Sequence, residues 1–495
     1  MVVKRSASLR CLEAPGARSQ RNLGAQMIIA RSRPVVGSAV ACPSMIPVLT
    51  PAEMAAVDAA APVPVETLIE RAGAAVAHHA LALLGGGYGR RVVVLAGKGN
   101  NGADGRAAAA HLIRRGARVQ VVDAFDAPGR LAEADLVIDA AYGTGFHGEH
   151  CAPEAAADVP VLAVDIPSGV DGLTGEERGR ALQATRTVTF AALKPGLLLE
   201  PGRGLAGEVV VADIGLDVGG PAAGVVEGDD VRAWLPERPA DAHKWQASVL
   251  VVAGSPGMTG AAHLAARAAQ RAGSGMVRLG SPGLDDDPGR PTEATGLALP
   301  AVGWSEVVVG ALERFQALVI GPGLGTQDAA ADGVRAVLSS SALPAVVDGD
   351  ALTALGRDAA ARLAGRPATV LTPHDGEHKR LTGARPSADR LDAARRLASS
   401  TGAVVLLKGP TTVVAGPDGR VRIVAIGDAR LATAGTGDVL SGAIGALLAR
   451  GLAPLEAAAA GAWLHATAGR LGPSEGLVAG DLVDRLPRAL AEVGR

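Results

Sequence analysis

The sequence predicts an α/β protein built from two consecutive domains, each a parallel sheet covered by helices. Three observations carry this expectation: a length of 495 residues, short apolar runs that alternate with helical patterns, and 66 glycines gathered where strand-like runs end. At about 100–200 residues per domain, the length calls for two or three folding units. Short apolar strands spaced by helices are the pattern of a parallel α/β sheet. The glycine content is nearly double the usual share of about 7%, so glycine must serve turns or close backbone approaches to ligands. With the 31 prolines it still makes only roughly a fifth of the chain, below the level of about 25–30% that marks low complexity.

Residues 1–44 are rich in Arg and Ser, show no sustained hydrophobic period, and are expected to form a disordered extension. They carry Lys4, Arg5, Arg10, Arg18, Arg21, Arg31 and Arg33 against Glu13 alone. Such a composition suits a targeting peptide or an upstream start codon read through an arginine-rich coding background. The second reading is preferred, with Met45 as the natural start.

From Leu49 onward the elements follow in order. Thr50-Pro51-Ala52-Glu53 reads as a helix start, with Thr50 as N-cap, Pro51 at the first helical position and Glu53 completing a capping box. A second helix near 66–83 aligns Leu68, Ile69, Ala72, Ala75, Val76 and His79 along one side. Strands are then expected at 92–95, 119–122, 136–138, 161–164, 188–190 and 209–211, with a helix at 105–115. The pattern lapses into small residues over 215–226, and a linker is assigned to 219–226. A second series runs through strands 249–252, 276–279, 318–320, 345–347, 369–371 and 404–407, with a helix at 261–272. Strands 412–414 and 421–424 flank Pro417-Asp418-Gly419 as a hairpin. A final long helix begins near Gly437, carries Leu440, Ile444, Leu447 and Leu448 on one face, and stops at Gly451. The domains are thus expected at 45–218 and 227–495.

The net charge of −2 hides an asymmetry, because removing the +6 of residues 1–44 leaves the remainder at −8. An acidic body with ten aromatic residues argues against nucleic-acid binding. No run approaches the roughly eighteen apolar residues of a membrane span, and none reads as a signal-peptide core. Cys11 and Cys42 fall in the extension and Cys151 stands alone in the body. No disulfide framework is expected, which suits a cytoplasmic protein. Only six lysines occur among 48 basic residues; where Arg is the default cation, a retained Lys points to a need for a compact charge.

The strand at 92–95 runs into Gly97-Lys98-Gly99-Asn100-Asn101-Gly102-Ala103-Asp104-Gly105. A glycine-rich turn between strand and helix can aim backbone N–H groups at a phosphate, although this spacing is neither a dinucleotide GxGxxG nor a Walker loop. Two further strands end in Asp139, leading to Gly143-Thr144-Gly145-Phe146, and in Asp165, leading to Ile166-Pro167-Ser168-Gly169. Each aspartate alone reads more readily as a cap or turn former. Three strand ends delivering Asn101, Asp139, Asp165 and Ser168 to one edge point to a group I or II cation rather than zinc.

Residues 66–73 (ETLIERAG), 97–105 (GKGNNGADG), 139–146 and 165–175 (DIPSGVDGLTG) together resemble the NAD(P)H-hydrate epimerase domain. The resemblance covers about residues 45–215. It implies a Rossmann-like three-layer fold that interconverts the R and S forms of hydrated NAD(P)H. It also implies a potassium ion on Asn101, Asp139 and Ser168, and hydrate contacts from Asn100, Asn101, Gly102, Ala103, Asp104, Gly143, Thr144, Gly145, Phe146, His147, Gly148, Glu149 and Asp165. Ala103 departs from the family's usual glycine, and its methyl would crowd the pocket if its φ were positive.

In the second half, Leu431-Ala432-Thr433-Ala434-Gly435-Thr436-Gly437-Asp438 opens the long helix. Its first N–H groups can surround developing negative charge, with Asp438 as general base in the first turn. An ordinary capped helix is the plainer reading of Thr436 or Asp438 alone. Lys408-Gly409-Pro410-Thr411-Thr412 adds a cationic loop of phosphate size after a strand. His374, at another strand end, is better placed to hydrogen-bond a ligand than to shuttle protons.

With Asp241-Ala242-His243-Lys244, Gly321-Pro322-Gly323-Leu324-Gly325 and Asp348-Gly349-Asp350, these segments resemble the ADP/ATP-dependent NAD(P)H-hydrate dehydratase of the ribokinase-like superfamily, over roughly 227–495. The resemblance implies nucleotide on Lys408, Gly409, Pro410, Thr411, Thr412 and Gly437, and S-hydrate on Ala261, Gly323, His374 and Asp438. Trp245-Gln246-Ala247-Ser248 and Asp428-Ala429-Arg430 depart from the family pattern.

The expected function is repair of damaged nicotinamide cofactors. The first domain, with K+ and Asp165 as acid–base residue, would epimerise the hydrates of NADH and NADPH (NADHX and NADPHX). The second, with Mg2+ and ADP or ATP, would dehydrate the S form through a phosphorylated intermediate, with Asp438 as base. A homo-oligomer is expected, without nucleic-acid or membrane partners. The rival readings are a ribokinase-like small-molecule kinase and a non-catalytic ligand-binding first domain.

Overall fold

The computed structural model describes residues 29–31, 45–366 and 368–494; the expected extension falls outside them except for Ile29–Arg31. The chain divides into two compact units, whose described parts are 29–31 with 48–220, and 45–47 with 221–494.

In chain order the elements of the first part are β1 (Ile29–Arg31), β2 (Ile46–Val48), α1 (Pro51–Ala59), α2 (Val65–Leu84), β3 (Arg91–Ala96), α3 (Asn100–Arg114), β4 (Arg118–Asp123), β5 (Leu136–Ala140), β6 (His150–Cys151), β7 (Val161–Val164), β8 (Gly179–Arg180), β9 (Arg186–Phe190), α4 (Gly202–Ala206) and β10 (Glu208–Ala212). The first unit holds a seven-stranded sheet in the order β1-β10-β9-β7-β5-β3-β4, and its recorded pairings are parallel. β3, β5 and β7 are nearly continuous buried aliphatic runs, as strands covered on both faces must be. The capping box forms as its residues dictate: Glu53 N–H donates to Thr50 Oγ1 at 3.2 Å and Thr50 N–H to Glu53 Oε2 at 2.8 Å.

The second part continues with β11 (Ala223–Val225), α5 (Gly228–Trp234), β12 (Ser248–Val252), α6 (Thr259–Arg271), β13 (Met276–Pro282), β14 (Thr295–Leu299), α7 (Trp304–Ala311), β15 (Ala317–Ile320), α8 (Asp328–Ser340), β16 (Ala345–Val347), α9 (Asp350–Leu355), α10 (Ala359–Leu363), β17 (Thr369–Leu371), α11 (Asp375–Thr382), α12 (Arg390–Thr401), β18 (Val404–Leu407), β19 (Thr412–Ala415), β20 (Val421–Val424), α13 (Thr436–Ala449), α14 (Pro454–Arg470) and α15 (Ala479–Glu492). Its sheet runs β14-β13-β12-β15-β16-β17-β18-β19-β20-β11-β2. β19 pairs antiparallel with both neighbours, which is the expected hairpin.

Five expectations change. Ile29–Arg31 lies within the stretch assigned to disorder, yet it pairs with β10. The first boundary moves from 45 to 48, because β2 joins the second sheet by backbone pairing. The linker shortens, because Ala223–Val225 pairs with β20. The helix expected to be last is followed by α14 and α15. Ala457, Ala458, Ala459 and Ala460 bury α14 all round, which erases an amphipathic period, and Pro487 inside α15 reads as a break. Cys151 is disulfide-bonded, which the dispersed cysteines did not lead one to expect. Among the described residues, no helix is long and apolar enough to cross a membrane.

Candidate active sites

Parallel strands deliver their carboxyl ends to one edge of each sheet, where ligands of such folds bind. In the first unit the turn after β3 closes tightly on itself: a Cβ on Gly102 would lie 1.9 Å from Gly97 O. That closure starts α3 at Asn100 and places Asn101 and Asp104 in its opening turns. Opposite them, a Cβ on Gly143 would stand 3.1 Å from Asp165 Oδ2 and 3.2 Å from Asn101 Oδ1. Asn101, Gly143, Thr144 and Asp165 therefore meet. Gly145, His147, Gly148 and Glu149 form the exposed side of the same loop, while Phe146 packs on Tyr142 with ring centroids 4.6 Å apart. Ala103 lies inside α3 and Asn100 at its start; Ala103 is not among the residues of positive φ, so its methyl brings no backbone strain.

Asp165 has a left-handed backbone, φ 66°, a conformation that Asp tolerates better than most residues. Its carboxylate accepts four hydrogen bonds. Oδ1 takes Lys194 Nζ at 2.6 Å and Thr189 Oγ1 at 3.1 Å; Oδ2 takes Thr144 N–H at 2.9 Å and the Thr144 hydroxyl. Burial pushes this carboxyl up, but Lys194 and these donors hold it below its ordinary range. Lys194 is 1% exposed, and its other protons go to Thr189 Oγ1 at 2.8 Å and Phe190 O at 3.2 Å. A carboxylate has about four lone-pair sites, so Asp165 has none left for a substrate proton. That geometry counts against its expected part as acid–base residue. Asp104 is the contrasting group: burial, then the carboxylates of Asp165 and Asp58, push it up to about 8.

Asp139 and Ser168 are both buried. Ser168 donates to Asp139 through Oγ at 2.6 Å and N–H at 2.9 Å, and Ser168 Oγ accepts from Tyr142 N–H at 2.9 Å. Burial pushes Asp139 up against the Ser168 hydrogen bonds and the charge of His150. Asn101 Oδ1 and Nδ2 are buried without partners among the described residues. One carboxylate, one hydroxyl and one unpaired amide oxygen suit a weakly charged hard cation, so these residues fit the potassium ion that the resemblance implied. Among the described residues, no group of three or more His, Cys, Asp and Glu is arranged to hold a metal.

In the second unit, Gly435 has φ 86° and turns the chain into α13. The N–H groups of Gly437 and Asp438 belong to the first turn, which no helical carbonyl reaches. A Cβ on Gly437 would sit 3.4 Å from Lys408 Nζ, and one on Gly435 3.9 Å from Asp438 Oδ2. Lys408 Nζ pairs with Asp348 Oδ1 at 2.7 Å and lies 3.8 Å from Glu377 Oε2, while Ser441 Oγ donates to Asp348 Oδ2 at 2.6 Å. Burial, then Asp348, push Asp438 up to about 7. A Cβ on Gly323 would stand 3.0 Å from Ala261 Cβ, and one on Gly435 2.6 Å from Leu264, three residues along α6 from Ala261. Ala261, Gly323, Gly437, Lys408 and Asp438 thus line one edge.

Other expected residues fare differently. His374 is exposed and caps α11, its Nδ1 accepting from Gly376 N–H at 2.9 Å, while its Nε2 lies 3.6 Å from Glu377 Oε2. Gly409 and Pro410 are exposed, Thr411 is buried, and Thr412, half-buried, begins β19. Trp245 precedes β12, at the sheet edge opposite the site, and stacks under Arg314 at 4.5 Å. Asp428 is held by Arg430 at 2.5 Å.

A family model described as NAD(P)H-hydrate dehydratase matches residues 249–491, and one described as the YjeF-related protein N-terminus matches 65–129 and 123–196. The bifunctional NAD(P)H-hydrate repair enzyme Nnr of Moorella thermoacetica is 39% identical over 468 residues, covering 81% of this chain and 87% of its own. Its namesake from Mycobacterium tuberculosis is 43% identical over 406 residues, covering 76% and 82%. This chain belongs to the bifunctional NAD(P)H-hydrate repair enzymes. A ribokinase-like superfamily protein from Enterococcus faecalis superposes with a TM-score of 0.50 at 23% identity, over 55% of this chain and 96% of its own, and shares the fold of the second unit.

For this NAD(P)H-hydrate repair enzyme, sequence reasoning missed Thr189, Asp58, Ser441 and Arg390, and gave Lys194 no role. Arg390 donates to Lys408 O at 2.8 Å and pairs with Asp375 at 3.0 Å, bracing the cationic loop. The scarcity of lysine was the one signal that could have found Lys194.

Proposed function

We propose that this protein restores NAD(P)H from its hydrates: the first unit interconverts the R and S forms, and the second dehydrates the S form at the expense of ADP or ATP. The observation that carries the reading is Asp438, a carboxyl without a hydrogen-bonding partner among the described residues, poised near neutrality beside first-turn N–H groups and Lys408. A base works best with its pKa near the operating pH.

Asp438 takes the proton of the hydrate hydroxyl as that oxygen bonds to the terminal phosphorus and the bond to the departing nucleotide breaks. The N–H groups of Gly437 and Asp438 and the Lys408 ammonium stabilise the charge on the transferring group. Mg2+, carried on the nucleotide phosphates rather than in a protein cage, would neutralise phosphate charge. The ring nitrogen then expels phosphate with the C–O bonding pair, and loss of a proton from the next carbon restores the reduced ring. In the first unit Asn101, Asp139 and Ser168 would hold K+, which supplies a fixed positive charge at the substrate edge.

The rival small-molecule kinase would leave a stable phosphorylated product. Incubating the full chain with R/S-hydrate and ADP or ATP should restore NADH absorbance with release of inorganic phosphate. Accumulation of a phosphorylated product without NADH would replace this reading with the kinase. The protein is proposed to act as a homo-oligomer in the cytoplasm.

A further inference from the structure

If the first unit is an epimerase, one side chain must move a proton, and the geometry moves that part from Asp165, the residue expected for it, to another carboxyl of the same site. Hydration adds water across an enamine, so the hydroxyl comes to rest on the carbon bonded to the ring nitrogen. Inverting that carbinolamine takes a proton off the hydroxyl while the C–N bond breaks, its pair goes to nitrogen, and nitrogen receives a proton. The resulting aldehyde turns about its C–C bond and presents its other face. Nitrogen adds back, and both protons return. The group that serves this step gives one proton and takes one. A neutral carboxylic acid can do both at once, through its O–H and its carbonyl oxygen.

Asp165 cannot, because its four acceptor sites are filled by Lys194, Thr189 and Thr144. Asp104 can. It lies three residues beyond Asn101 on α3, hence on the same helix face, and helical side chains lean toward the N-terminus, here the end that carries Asn101. It is only 8% exposed, and among the described residues no cation or hydrogen-bond donor meets its carboxyl. The charges that reach it are Asp165 and Asp58. Lys194 acts on those two, while Arg106, its neighbour on α3, turns to Gly97 O at 2.8 Å. Burial between two carboxylates favours the neutral acid.

We propose that Asp104 is the catalytic acid–base residue of the epimerase, and that Asp165, clamped by Lys194, is a positioning anion. This rests on the epimerase reading of the first unit. The test follows the R/S ratio of NADH hydrate by chromatography, with the full chain and no nucleotide. Wild type must exceed spontaneous epimerisation; if it does not, the epimerase reading itself fails and the variants are moot. With an active wild type, Asp104→Asn should lose at least about a hundredfold in kcat, with hydrate binding retained by calorimetry. Asp165→Asn, combined with Lys194→Met so that no buried charge is left unpaired, should act chiefly through a raised KM. The wild-type rate should fall above about pH 8 as the acid ionises, and Asp104→Glu should keep part of the rate together with that alkaline limb. An Asp104→Asn variant within tenfold of wild type, or an alkaline limb unchanged in it, overturns the assignment.

Discussion

Lys408 Nζ and Asp348 Oδ1 meet at 2.7 Å across the carboxyl ends of β18 and β16. Asp348 thus spends its charge on Lys408 and Ser441, and Lys408 holds it below its ordinary range against the push of burial. Asp438 gains no such donor and stays near neutrality. The consequence is a pH-dependent dehydratase: since the base acts when ionised, kcat/KM should rise about tenfold per pH unit up to about 7 and then level off. Asp438→Asn should lose at least about a hundredfold and flatten the profile, as read from NADH absorbance with hydrate and nucleotide. A limb that survives the substitution would assign it to another group.

The same shift has a thermodynamic sign. Asp438 titrates near 7 when folded against an ordinary value of 3.8, so between those pH values the folded state binds more protons than the unfolded one. Its contribution is fully present below 3.8 and is lost as pH rises to about 7. Asp438→Asn should therefore be more stable than wild type above pH 7, with the difference shrinking toward pH 4. Urea midpoints of both proteins across that range measure it, and a difference that grows as pH falls would contradict the assignment.

Lys194 and Asp165 form a buried pair in which every proton of the ammonium has an acceptor. Removing one member of such a pair leaves an uncompensated charge, at a cost of about 3–5 kcal/mol. Lys194→Met should raise amide exchange in β7 and β9, and adding Asp165→Asn should recover part of the protection. No recovery in the double variant would mean that Lys194 acts through packing alone.

Much of this was legible beforehand for a physical reason. Buried parallel strands must be aliphatic on both faces, so Val92–Leu95 or Val404–Leu407 announce themselves. Glycines needed at strand ends marked the turns at 97–105 and 435–438. What stayed hidden depends on chain segments far apart in sequence. Lys194 gains meaning only when β9 folds beside β7, and the contrast between Asp104 and Asp165 arises from which donors surround each, not from residue type. α14 was missed because uniform alanine burial has no period.

Asn101 offers the last test, because both polar atoms of its amide are buried without partners among the described residues. If a potassium ion accounts for them, K+ must bind the folded state and raise its stability by mass action, by about 2.7 kcal/mol at a hundredfold excess over Kd. In choline buffer, adding K+ should slow amide exchange in β5 and in the 165–171 turn, where Asp139 and Ser168 lie. Na+ should protect less, because a site built for the larger ion closes poorly on the smaller one. Asn101→Leu keeps the branched shape of the side chain without an oxygen ligand, so it should abolish the K+ response while leaving the exchange of β12 in the second unit unchanged. Equal protection by K+ and choline in wild type would leave the unpaired amide to a different ligand.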